Sequence, residues 1–331
     1  MLSTERNWRL DNARAVLIVL VVLGHMVRWA QFPGNEFLYR FIYAFHMPGF
    51  ALLSGLCWKG IGKGRVLSRL AWPYVIFQTL YLLFDRLGPL AVKWTPEPWT
   101  YTKPYWLLWY LMALMGWNVL AAVMPEGKRA GLAVLGGSVA AALLAGFDPG
   151  LDYYLSLSRT LVLFPFFWVG VWWQRYGRAL PERRWARPAA AGVFVLGAGV
   201  IWLLGDRLDA RWMYHSFPYF DLNYGPFIRL GLLALAAVLL PCLLALVPGR
   251  RMEVMTYLGQ NTMPVFLLHG FVVRGFGWLG AFRGAVWPWF LLPVLATCLA
   301  LLLASPPVVK VMKPLMRWPF TGLQVRSHRD Q

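Results

Sequence analysis

Ten separate stretches of this 331-residue chain are each long and apolar enough to cross a lipid bilayer, which leaves few folds open to it. A hydrocarbon core about 30 Å thick takes roughly 20 apolar residues of helix. Backbone polar groups find no water there, so a spanning segment satisfies them as a helix or within a closed barrel. The stretches fall at 13–31, 40–58, 70–90, 104–124, 130–147, 159–176, 188–205, 226–247, 261–279 and 285–309. Continuous runs of this length select helices over the short alternating segments of a barrel. The expected fold is all-α: a polytopic integral membrane helix bundle of about ten transmembrane helices. It forms one domain over residues 1–331, with a short N-terminal segment at 1–12 and a basic tail at 310–331.

Loop charge orients the bundle. Lys59, Lys63, Arg65 and Arg69, then Lys128 and Arg129, then Arg175 to Arg187, then Arg250 and Arg251, and finally the tail hold most of the loop cations. Every second connection is basic, and those between carry Asp85, Glu97, Asp148, Asp152, Asp206, Asp209 and Asp221 near neutrality. By the positive-inside rule both termini are cytoplasmic and the number of spans is even. Topology therefore accounts for the net charge of +18, and no nucleic-acid partner is expected. The short charged N-terminus leads into the first run without a small-residue cleavage site, which reads as a retained helix in a multi-pass protein of the cell membrane. Cys57, Cys242 and Cys298 are too widely spaced for a disulfide or metal motif and read as packing residues, so no metal is expected. Arginine-rich, lysine-poor usage fits a GC-rich bacterial source.

Within the first run stands His25, with Arg14 eleven residues before it. A helix turns about 100° per residue, so eleven residues return almost to the same azimuth while rising roughly 16 Å. Asp11, Arg14, Ile18 and His25 thus share one stripe. An imidazole and a guanidinium at that depth cost several kcal/mol unless they face a polar cavity. Snorkelling to the interface and a hydrogen bond between helices are the plain alternatives for Arg14 and His25.

Further local patterns lie in order along the chain. They are WRLDNARAVLIVLVVLGH at 8–25, YAFHMPGFALLSG at 43–55, RVLSRLAWPY at 65–74, PYWLLWYLMAL at 104–114, LFPFFWVGVWW at 163–173 and YLGQNTMPVFLLHG at 257–270. Together these segments resemble the membrane-bound acyltransferase-3 family, particularly its fucose 4-O-acetylase-like branch. The spacing of Arg14 and His25 and the His-Met-Pro of residues 46–48 are similar to family patterns, whereas the arginines at 65 and 69 stand further apart than the family's. The resemblance implies transfer of an acyl group, usually acetyl from acetyl-CoA as co-substrate, to a hydroxyl of a glycan, glycolipid or glycosylated small molecule.

Independent chemistry sits beside that implication. An alcohol attacking a thioester needs a base, and neutral imidazole suits the task. The expected catalytic residues are His25, Arg14 and Asp11, and Arg14, Arg65 and Arg69 are expected to hold the phosphates of acyl-CoA from the cytoplasmic side. His46, His269, Trp106 and Asn261 are expected near the acceptor or in support of the base. For His46, before Met-Pro, and for His269, an orienting role fits as well as a catalytic one. Trp99, Tyr101 and the loop 206–225 offer aromatic and polar surface for a saccharide, though interfacial anchoring explains most of the indoles. A homo-oligomer is compatible with all of this. A secondary transporter or flippase for a glycan or lipid-linked sugar is the alternative, because buried His and Arg also serve transport, yet no inverted repeat is visible.

Overall fold

A computed structural model describes residues 7–30, 34–60, 65–91, 95–177, 185–281 and 291–316. Helices dominate, and no strand occurs among the described residues. The helices are α1 Trp8–Trp29, α2 Asn35–Leu56, α3 Arg65–Asp85, α4 Trp109–Val123, α5 Lys128–Leu144, α6 Leu157–Tyr176, α7 Ala186–Leu204, α8 Pro226–Leu246, α9 Glu253–Gln260, α10 Thr262–Trp278, α11 Leu291–Leu303 and α12 Pro306–Met316. Each of the ten apolar runs contains helix among its described residues. Among the described residues, five helical stretches are long and apolar enough to cross a membrane by themselves: α1, Trp106–Val123, Tyr154–Tyr176, Ala186–Arg207 and α8. The pair α11 and α12 makes a sixth if its two parts count as one span. The chain is an all-α polytopic membrane protein.

Two departures from the expected boundaries have local causes. The run 285–309 is not one straight helix, because α11 and α12 meet at a 63° bend. Pro306 and Pro307 lack the N–H groups that would carry α11 onward, and they suit the first turn of a new helix instead. The expected tail therefore begins as helix as far as Met316. Upstream, Asn261 leaves helical geometry at φ −115°, ψ 35°, and separates the short α9 from α10. The calls on Lys63, Arg178, Arg183, Arg184 and the tail beyond 316 lie outside the described residues, as does the side chain of Arg65.

Glycine sets how closely the central helices pack. At Gly55 on α2 a Cβ would fall 1.9 Å from the Phe167 carbonyl oxygen of α6, and at Gly170 on α6 one would fall 2.3 Å from the Leu52 oxygen of α2. These backbones touch because neither carries a side chain there, which is how helices gain packing energy where lipid is as apolar as leucine. Gly259 of α9 makes the same approach to the Asp11 carbonyl of α1. Around α2 and α6, Leu17, Phe45, Ala113, Trp117, Phe167 and Leu239 form the largest apolar core. A second core packs Ile18, Val22, Val27, Ile42, Val265 and Ala296 between α1, α2, α10 and α11, and so fixes α1 beside α10.

Candidate active site

The contact of α1 with α10 brings two histidines together. His269 Nδ1 lies 2.9 Å from the Val265 carbonyl oxygen one turn earlier on α10, and its Nε2 lies 2.8 Å from His25 Nδ1. A carbonyl only accepts, so the proton of neutral His269 sits on Nδ1 and its Nε2 is a lone pair. His25 then donates from Nδ1, and its own Nε2 keeps a free lone pair directed away from His269. The two rings lie within 3° of parallel, as a hydrogen bond between imidazole edges favours. His269 is fully buried, whereas His25 retains exposure toward a cavity. Across its ring stands Trp106, with centroids 4.7 Å apart. Trp106 has φ +39°, a left-handed conformation rare for a bulky residue, just before α4.

That cavity, about 630 Å³, lies by the His25 end of α1. Its walls come from α1 and α2 (His25, Arg28, Tyr39, Tyr43, His46), the segment before α4 (Tyr105, Trp106), α6 (Arg159), α10 (Phe266, Arg274) and the loop before α8 (Tyr214, His215). His46 repeats the device seen in His269: its Nδ1 lies 2.8 Å from the Ile42 carbonyl, which leaves Nε2 as an acceptor. Tyr39 and Tyr214 share a 2.6 Å hydroxyl hydrogen bond. The cavity is lined largely by aromatic side chains, several of them tyrosines that bring hydroxyls.

The sequence patterns did not point to every residue here. Arg159 and Arg274 are ionisable groups inside apolar runs, as His25 is, and the same depth rule would have singled them out. Arg274 is 3.9 Å from the fully buried Asp85, which also accepts hydrogen bonds from the Tyr105 hydroxyl and the Glu97 amide. Asp85 is thus an internal counter-charge at the end of α3 rather than a free loop acid. His215 also lines the cavity, at 4 % exposure. Burial, with Arg229 and Arg159 nearby, lowers its pKa to about 3. No signal in the sequence marked it, since its depth comes from the fold of its loop.

Asp11 and Arg14 occupy the other end of α1. Arg14 Nη1 pairs with Asp11 Oδ1 at 3.1 Å, and its Nη2 donates to Cys57 Sγ at 2.6 Å. Cys57 is therefore more than a packing residue. Gln260 Nε2 donates to Asp11 Oδ2 at 3.3 Å, so the buried carboxylate ties α9 to α1. Ile18 stands between Arg14 and His25, 1 % exposed within the apolar core, and it interrupts the polar stripe. Arg69 is exposed early in α3. Asn261 donates to the Tyr257 carbonyl at the α9–α10 break and does not line the cavity. Trp99 and Tyr101 also lie outside it, against Arg86 and Thr79. The structure thus gathers His25, His46, His269 and Trp106 at one end and leaves Asp11, Arg14 and Asn261 at the other. No group of three His, Cys, Asp or Glu suited to a metal occurs among the described residues.

Residues 7–306 match the family model described as an acyltransferase domain, Acyl_transf_3. The chain belongs to the acyltransferase-3 family. Among curated proteins it is similar to the nodulation protein NolL of Mesorhizobium japonicum, at 28% identity over 98 residues. That match takes in 28% of this chain and 25% of NolL. No solved structure matches the chain. Family membership covers nearly all the described helices, including both ends of α1 and the α1–α10 contact.

Proposed function

We infer that this acyltransferase-3 protein is an O-acyltransferase that moves an acyl group, acetyl, from acyl-CoA to a hydroxyl of a glycan, glycolipid or glycosylated small molecule. The observation that carries this reading is the Val265–His269–His25 hydrogen-bond chain, which presents His25 Nε2 as an unprotonated acceptor at the floor of an aromatic cavity. In the reaction His25 Nε2 takes the acceptor's hydroxyl proton as the oxygen bonds to the thioester carbonyl carbon. The C–S bond then breaks, and the proton passes from His25 to the departing CoA sulfur. His269 keeps the imidazole in the productive tautomer, the role a third group plays in many base-assisted transfers.

The donor end is the cytoplasmic end of α1. Arg14, with Arg65 and Arg69 at the start of α3, grips CoA phosphates there, Asp11 holds Arg14, and the acyl group reaches His25 along α1. Ile18 fills that route in the structure, so donor binding displaces its side chain. The helices cross a cell membrane ten times with both termini inside, and the acceptor enters from the opposite face. Within the family, the fucose 4-O-acetylase-like branch is the one this reading proposes.

Purified full-length protein given acetyl-CoA in detergent tests the class of activity. Free CoA thiol should accumulate slowly, because water replaces a missing acceptor at a site that activates hydroxyls, and a saccharide acceptor should speed it. A transporter would neither bind acetyl-CoA nor release CoA, and that result would replace the enzyme reading.

A further inference from the structure

Arg159 enters the cavity without an acid to balance it. Its Nε donates to the Tyr214 carbonyl at 2.9 Å and its Nη2 to Ser216 Oγ at 3.3 Å, while its face stacks over Trp109 and Tyr153 at 4.8 and 5.1 Å. A guanidinium carries five N–H donors and keeps its charge at any physiological pH. Two hydrogen bonds leave donors for a ligand, and no carboxylate stands within ion-pair distance of Arg159 among the described residues. The residue is only 9 % exposed, so water does little to offset its charge.

The rest of the lining has the same sign. Arg28, Arg159, Arg274 and Lys103 face the cavity against one acid, Glu97, which is exposed at the rim. Arg274 is balanced from behind by Asp85. Arg28 lies at the outer end of α1, exposed and without an ion pair among the described residues, and it also lines a second pocket, where Arg40 and Arg211 stand with Glu36, Asp206 and Asp209. The three cavity histidines add no acid.

We propose that the acceptor carries an anionic group, a carboxylate or a phosphate, which Arg159 holds inside the cavity and Arg28 draws to its mouth. This rests on the O-acyltransferase reading and names its substrate class: an acidic saccharide, such as a uronic acid or a sugar phosphate. Trp109 and Tyr153 keep the Arg159 guanidinium plane fixed, so a planar carboxylate or a phosphate meets it in bidentate geometry. The acid fixes the sugar, and a hydroxyl elsewhere on it then meets His25 Nε2.

Ligand-observed NMR on the purified full-length protein tests this with three probes: methyl β-D-glucuronide, glucose 6-phosphate and neutral methyl β-D-glucoside. At least one acidic probe should bind about ten-fold or more tightly than the neutral one, and the tighter of the two identifies the group. Arg159→Gln should erase that preference while leaving the neutral probe's affinity within about two-fold, and Arg28→Gln, at an exposed site, should weaken acidic binding with the fold intact. Equal binding of neutral and acidic probes would overturn the proposal, as would a preference surviving both substitutions, or no binding of either acid at tens of millimolar. Competitive displacement by adenosine 3′,5′-diphosphate, the phosphate-bearing end of CoA, would assign the arginines to the donor and also overturn it. CoA release with no acid preference would sink this inference and spare the enzyme reading. An Arg159-dependent acid preference without CoA release would do the reverse.

Discussion

The hydrogen-bond partner of His25 lies 244 residues away in sequence. If His269 sets the tautomer of His25, an acceptor at position 269 should matter more than a ring. His269→Gln keeps an oxygen able to accept from His25 Nδ1, whereas His269→Phe keeps the bulk alone. We expect His269→Phe to lower kcat by about ten-fold or more with KM for acetyl-CoA little changed, and His269→Gln to lose clearly less. Equal losses would mean that His269 only fills space. His215 makes a separate prediction. It is neutral when folded, with a pKa of about 3, against an ordinary value of 6.5. Its folded pKa is depressed, so unfolding takes up a proton between those values, and stability falls as pH drops from about 6.5 toward 3 at up to about 1.4 kcal/mol per pH unit. His215→Asn, which tolerates the left-handed backbone at φ 55°, should flatten that limb in thermal melts at pH 4 to 7. An unchanged slope would exclude His215 as its source. The sequence revealed His25 because an ionisable group in an apolar run is expensive wherever that run packs. It left the roles of His46 and His269 open, since a tautomer depends on which carbonyl and which ring a fold brings within 3 Å.

At the scale of elements, the apolar runs located the helices well because bilayer thickness fixes their length. Breaks inside the runs followed subtler chemistry, the paired prolines after Ser305 and the cap-like Asn261, and these shifted the last two spans. Close helix approach left a fainter trace. Gly55 and Gly170 each sit in an ordinary apolar stretch, and only the fold shows their backbones in contact. Gly55→Ala or Gly170→Ala would press a methyl against a carbonyl that cannot move aside. Either should cost about 1–3 kcal/mol and lower the melting temperature in detergent by several degrees. Gly136→Ala is the control, for no atom lies within 4 Å of its added Cβ, and helix propensity there favours alanine. Equal behaviour of Gly55, Gly170 and Gly136 variants would refute the close α2–α6 packing.

For the whole molecule, the proposed donor end and the proposed acceptor cavity lie toward opposite ends of α1. Topology is the first test of that arrangement: cysteines at Lys59 and Arg187 should react only with reagents admitted to the cytoplasm, and cysteines at Trp99 and Asp209 only from outside. Labelling of position 209 from the cytoplasmic side would invert the bundle and detach the donor from Arg14. The cavity itself was the least legible feature in the sequence. It is assembled from six helices and three loops, and Arg159, Arg274 and Tyr214 come to one cavity only when all are in place. The most direct test of the whole account is the rate of CoA release from acetyl-CoA, with acceptor present, by purified His25→Ala beside the wild-type protein. A general base contributes typically 10²–10⁴-fold, so the account predicts a fall of at least about 100-fold in a variant that inserts and melts like the wild type. A rate within a few-fold of wild type would contradict it.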